Sequence, residues 1–341
     1  MSAYRAFEVT GTRRFELVER EEQEPPLGHV RLRVEACGVC HSDVVAVEGM
    51  RPDPSASVVP GHEVVGVIDA IGPGVTTWRV GERVGVGYLG GHCGVCDFCR
   101  RGDFVNCADQ PQTGTDVDGG YAESMIARAG GLVRIPEGIG SIDAAPLLCA
   151  GLTVFSALRQ IDHVPGALVA VQGIGGLGHL GVQYAKKLGF RVAAIAAIAR
   201  GTGKAELARR LGADHYIDSS TGDAGAQLQR LGGAAAVVAT AASGTSMSPL
   251  VAGLAPRGRM VVVGAAADPI QVRTTDLIFG TRTVAGSLTG SSIDNEDSLR
   301  FAKARDVRPM TEVMPLAQAP QAYERMMSGQ ARFRIVLNMA V

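Results

Sequence analysis

Four of the chain's seven cysteines fall in one short run, H-C-G-V-C-D-F-C-R-R-G-D-F-V-N-C, as Cys93, Cys96, Cys99 and Cys107. The spacing C-x-x-C-x-x-C-x7-C turns all four thiolates toward one point. Four thiolates close a tetrahedral zinc site with sulfurs roughly 2.3 Å from the metal. A closed site has no position for a substrate, so this metal is expected to be structural. Another set of ligand types lies elsewhere: Cys40, His62 and Cys149. Two cysteines and a histidine leave a fourth position open, as a catalytic zinc requires. The seventh cysteine, Cys37, reads as a small buried residue on a strand.

The 341 residues suggest about two domains. A net charge of -1 with no block of like charge gives nothing to attract nucleic acid or an acidic membrane. The start, Met1 to Arg14, has no apolar signal core. The apolar runs Val192–Ala199 and Ala234–Ala242 are too short to span a bilayer. A soluble, cytoplasmic protein is expected. In a reducing compartment the cysteines read better as metal ligands than as disulfides.

The pattern along the chain changes near residue 150. Before it come short strands broken by Gly and Pro. Val30, Leu32, Val34 and Ala36 alternate with Arg31, Arg33 and Glu35, the period-two mark of a half-buried strand. After it, strand-like runs at Leu168–Val171, Arg191–Ile195, His215–Ile217, Ala235–Ala239, Met260–Val263 and Thr283–Ala285 alternate with helical segments such as Ala205–Leu211. That order predicts a parallel, doubly wound sheet. The tail reads as helices near Asp297–Ala304 and Ala319–Met327, then a strand at Arg334–Leu337. The fold class is therefore α/β, a β-rich domain plus a doubly wound one.

The first strand of the second region runs into Gly173-Ile-Gly-Gly-Leu-Gly178 and then a helix. A glycine loop between strand and helix is the context of dinucleotide binding. Gly173 allows the tight turn, and Gly175 lets pyrophosphate approach the backbone. Gly178 permits close helix–strand packing, while Gly176 and Leu177 complete the loop. The helix N-terminus offers free N–H groups to the phosphates. The end of the next strand chooses between NAD and NADP. Counting forward from the glycines puts the choosing position at Ala196; counting back from L-A-R-R-L-G puts it at Ala199. Both are alanine, and Arg200 and Lys204 follow, so NADP(H) is favoured over NAD(H).

Around the mixed ligand set stand Gly38-Val-Cys-His-Ser-Asp43, Pro60-Gly-His-Glu63 and Leu147-Leu-Cys-Ala-Gly151. With the cysteine loop and G-I-G-G-L-G-H, these occur in the order of the zinc-dependent medium-chain alcohol dehydrogenases. The chain resembles that family, near its cinnamyl-type and bacterial branches, over nearly its whole length. The resemblance implies a GroES-like catalytic domain of 1–150 plus 287–341 and a Rossmann domain of 151–286. It implies two zinc ions, a catalytic one on Cys40, His62 and Cys149 approached by Glu63, and a structural one on the cysteine loop. Asp43 would fix the His62 tautomer, and Ser42 would take the substrate proton. His41 would lie near the cofactor phosphates and Arg334 would reach the pyrophosphate. Many members carry a histidine where this chain has Val45, so its proton route must end differently. A primary alcohol or its aldehyde, aromatic or allylic, is the expected substrate, in a homodimer or homotetramer. A polyol or secondary-alcohol dehydrogenase using NAD, or a non-enzymatic zinc or redox sensor, remains an alternative. Tyr88 and Leu89 are candidate pocket residues. His29, His163, His215, His92 and His179 read as structural, solvated or loop positions.

Overall fold

A computed structural model describes residues 2–53, 55–162, 165–197 and 203–340. They form two compact units. The first comprises 1–152, 290–304 and 308–341; the second comprises 153–289 and 305–307.

In the first unit, β1 (Ala3–Val9) and β2 (Phe15–Glu21) make an antiparallel pair. A seven-stranded sheet follows. It uses β3 (His29–Val39), β4 (Glu63–Ile71), β5 (Arg83–Val86), β6 (Ser124–Arg128) and β7 (Leu132–Arg134). In β3 the residues Val30, Leu32, Val34 and Ala36 are all buried, while Arg33 is exposed. From Ala36 the alternation stops, and Cys37, Gly38 and Val39 are buried too. The strand thus passes from a one-sided surface into the interior just before Cys40. Its pairing with β4 carries two register shifts, after Arg31 and after Val34, and then sets Gly38 opposite Glu63.

In the second unit, β8 (Leu168–Gln172), β9 (Arg191–Ala196), β10 (His215–Asp218), β11 (Ala234–Ala239), β12 (Leu254–Val262) and β13 (Thr283–Gly286) form a parallel sheet. Its order is β10-β9-β8-β11-β12-β13. This is the doubly wound order, with the switch beside β8, whose end carries the glycine loop. Every residue of β8 and β11 is buried, as a parallel sheet covered on both faces demands. The chain then returns to the first unit, where β14 (Thr311–Pro315) and β15 (Arg334–Asn338) join the sheet beside β3.

The sequence reading overlooked one helical run. Ser141–Arg159 is long and apolar enough to cross a membrane, but 78% of its most apolar stretch is buried inside the protein. It consists of an α-helix Ser141–Pro146, a π turn Leu147–Gly151 and an α-helix Leu152–Arg159. Pro146 has no N–H to donate, and the helix widens directly after it. Cys149 sits in that widened turn.

Candidate active site

Three backbone segments bring the mixed ligand set together. Cys40 follows the end of β3, His62 precedes β4, and Cys149 comes from the π turn. Ligand atoms of Cys40, His62, Glu63 and Cys149 all lie within 4.8 Å of one another. The Cys40 and Cys149 sulfurs are 3.8 Å apart. His62 is buried, and its Nε2 has no hydrogen-bond partner among the described residues. Its Nδ1 lies 3.0 Å from Asp43 Oδ1, which places Nε2 on the side of the thiols. Leaving a buried ring nitrogen unmatched costs free energy unless a ligand takes it. A tetrahedral cation is the ligand these donors suit.

Electrostatics point the same way. The hydrogen bond from Cys149 holds the Cys40 thiol well below its ordinary range, and the same bond raises Cys149. Burial lowers the His62 imidazole, but the charges of Cys40 and Asp43 outweigh it and hold the ring well above its usual value. Without metal the cluster therefore keeps protons that a divalent cation would displace.

Glu63 is fully buried behind this set. Burial pushes its carboxyl up to about 7, against the opposing charge of Arg334. One carboxylate oxygen accepts from the Arg334 guanidinium; the other, Oε2, has no hydrogen-bond partner among the described residues. Gly38 makes room for it, because a Cβ there would stand 1.9 Å from Oε2. Sequence reading missed Gly38. It gave Arg334 a cofactor role; the structure buries this arginine, 4% exposed, and its Nη2 donates to Glu63 across 271 residues of chain. A charge in the buried run of β15 was the signal that it has an internal partner.

His41 and Ser42 are exposed on the 3-10 turn after Cys40. The Tyr88 ring meets His62 edge-on, with centroids 5.2 Å apart, and its hydroxyl donates to Gln112 Oε1 at 2.6 Å. It is a half-buried aromatic wall beside a ligand. Asn295, buried in the returning helix Ser292–Arg305, donates to the carbonyl of Leu148 at 3.0 Å and so ties down the turn that bears Cys149.

The cysteine loop gathers its four sulfurs within 4.8 Å of one another as well. The Cys107 and Cys93 sulfurs are 3.6 Å apart. Backbone N–H groups of Val95 and Cys96 donate to Cys93, and that of Cys93 donates to Cys107. Such bonds stabilise thiolates: the Cys99 and Ala108 amides pull Cys96 down to about 6. His92 packs at a tilt against Phe104, with centroids 4.3 Å apart. Cys37 is buried on β3.

In the second unit, Gly173 has φ +87, and its carbonyl lies 1.6 Å from where a Gly178 Cβ would be. No other residue fits at 178. A Cβ at Gly175 would meet nothing within 4 Å among the described residues. Thr240 Oγ1 braces the loop from β11's end by donating to the Gln172 carbonyl at 2.7 Å. His179 is buried and its Nδ1 lies 2.8 Å from the Gly175 carbonyl. Lys204 begins the helix after β9. Ala199, Arg200 and His163 lie outside the described residues.

Comparison with known proteins accords with this geometry. The family described as "Alcohol dehydrogenase GroES-like domain" matches residues 26–137, and "Zinc-binding dehydrogenase" matches residues 176–304. An alcohol dehydrogenase of Aspergillus sp. is 43% identical over 92% of this chain and 91% of its own. The chain belongs to the zinc-binding alcohol dehydrogenases. Another alcohol dehydrogenase, from Geobacillus stearothermophilus, is 39% identical over 94% of this chain and 95% of its own. A solved cinnamyl alcohol dehydrogenase of Sorghum bicolor is 33% identical and superposes with a TM-score of 0.89 over 99% and 98% of the two chains. The enzyme thus has the GroES-like and Rossmann-type domains of medium-chain dehydrogenases and is an oxidoreductase of their alcohol dehydrogenase branch.

Proposed function

We propose that the enzyme holds two zinc ions and moves a hydride between NADP(H) and a primary alcohol or its aldehyde, aromatic or allylic by preference. The orphaned Nε2 of His62, aimed at two thiols, carries the metal reading. Cys40, His62 and Cys149 would hold the catalytic ion, with Glu63 behind them. The cysteine loop would hold the structural one. When bound, the catalytic zinc supplies Lewis-acid activation of the alcohol or carbonyl oxygen. Asp43 keeps His62 in the tautomer that leaves Nε2 free. Ser42, exposed two residues beyond Cys40, would take the substrate proton and pass it to water or a cofactor hydroxyl, since Val45 offers no relay. The edge-on Tyr88 gives a flat substrate an aromatic wall. A non-enzymatic reading would need a missing ligand, and every one is present.

The cofactor preference is supported by the end of β9. Ala196 closes that strand without a carboxylate to take a ribose 2′-hydroxyl. Its neighbour in register, Asp218 of β10, accepts from Ser220 N and Oγ at 2.9 and 2.6 Å. Arg200 and Lys204 would meet a 2′-phosphate. Steady-state kinetics with both cofactors over a panel of aldehydes test the whole reading. The expected result is a lower KM for NADPH than for NADH and a selective loss of NADPH use in Arg200→Ala. Equal or tighter use of NADH, with a preference for secondary alcohols, would replace this reading with the polyol or secondary-alcohol one.

A further inference from the structure

The alcohol dehydrogenase reading gives no task to Tyr121. Its side chain is fully enclosed. The segment that carries it is zipped to the segment leading into His62. Gly119 N donates to the Val59 carbonyl at 2.7 Å, Gly120 N to Gly61 at 3.0 Å, and Tyr121 N to Pro60 at 3.0 Å. The ring then closes over Gly61, where a Cβ would lie 2.4 Å from Cδ1 and φ is +99. Only glycine fits ahead of His62 for both reasons.

The hydroxyl does something separate. It donates to Asp43 Oδ2 at 2.9 Å. The same oxygen accepts from the backbone N–H of Cys40 at 3.0 Å, and Oδ1 faces His62 Nδ1. One carboxylate therefore touches two ligand-bearing residues, and one phenol fixes the rotation of that carboxylate. A bond from a phenol to a carboxylate is charge-assisted, and burial of both groups strengthens it.

We propose that Tyr121 is a positioning residue for the catalytic zinc, acting through Asp43 to set His62 and Cys40 at once. Its ring sets the turn before His62; its hydroxyl sets the aim of the imidazole. Partners one layer behind a metal ligand typically govern about 10–100-fold in affinity or activity. The inference rests on the proposed zinc reading of Cys40, His62 and Cys149.

Tyr121→Phe keeps the ring and the backbone bonds and removes only the hydroxyl, so it separates aiming from packing. Zinc retention is read by chelator competition, and ligand geometry by the visible bands of the cobalt(II)-substituted enzyme. The expected result is roughly tenfold faster loss of one zinc of two, a shifted cobalt spectrum and lower kcat at similar KM. In an Asp43→Asn background the same change should add little. Unchanged retention and an unchanged spectrum in Tyr121→Phe, with two zincs in the parent enzyme, would overturn this inference alone. One zinc or none in the parent enzyme would overturn it together with the metal reading. Should Tyr121→Phe not fold, 3-fluorotyrosine placed at this position alone strengthens the donor without changing the packing. The cobalt bands must then move, and bands that stay in place overturn the inference.

Discussion

The two cysteine-containing clusters are built by opposite means. In the loop, four ligands come from fifteen consecutive positions, and backbone amides hold the sulfurs. In the mixed set, the candidate ligands come from three distant segments, and side chains hold them: Asp43, Tyr121, Arg334 and Asn295. The first arrangement needs little beyond its own turns. The second exists only when most of the first unit is folded. The loop sits near solvent with Val95 and Phe98 exposed, whereas Cys40, His62 and Glu63 are buried. A local, amide-lined site suits a staple. A site built from buried side chains suits chemistry, because its donors are pre-aimed and dry.

Breaking each cluster should produce a different kind of damage. Cys40→Ala has the largest expected effect: turnover falls below detection and one zinc of two is lost, while the melting temperature changes little. Metal analysis beside an activity assay checks it, and retained turnover would remove Cys40 from the mechanism. Cys107→Ala should do the reverse. The other zinc leaves and melting falls by several degrees in a thermal scan, yet the rate per catalytic zinc at low temperature survives. Smallest is Asn295→Ala, which frees the Leu148 carbonyl without touching a ligand. Catalytic zinc should dissociate roughly tenfold faster, with the structural zinc unmoved in the same chelator experiment. Equal loss from both sites would erase the distinction drawn here.

The same contrast governs what could be read from sequence. The loop was legible because its ligands and their scaffold share one stretch of chain. The strand alternation of β3 was legible for the same reason, as were the glycine loop and the order of strands after it. The ligands Cys40, His62 and Cys149 were recognisable by type and by family motif. Their supports were not. Nothing about the spacing of Tyr121 or Asn295 announces a partner some eighty or 147 residues away. Gly38 looked like any strand glycine until register set it against Glu63. The hairpin β1–β2 was unread because its strands are half-exposed and rich in charge, with no clean period of two. The π turn was hidden by Pro146 and Gly151, which signal a break in a helix that in fact continues.

The partnership of Glu63 with Arg334 also sets a timetable. During synthesis the cysteine loop is complete once Cys107 is free of the ribosome, and Cys149 follows soon after. Arg334 emerges roughly 230 residues after Cys107, on the order of ten to forty seconds later at about 5–20 residues per second. Through that interval Glu63 lacks Arg334, and β3 lacks the strand that delivers it. On the proposed reading, the nascent chain could take a metal at the cysteine loop early, while the Cys40, His62 and Cys149 cluster gains its last support only as the final strand arrives.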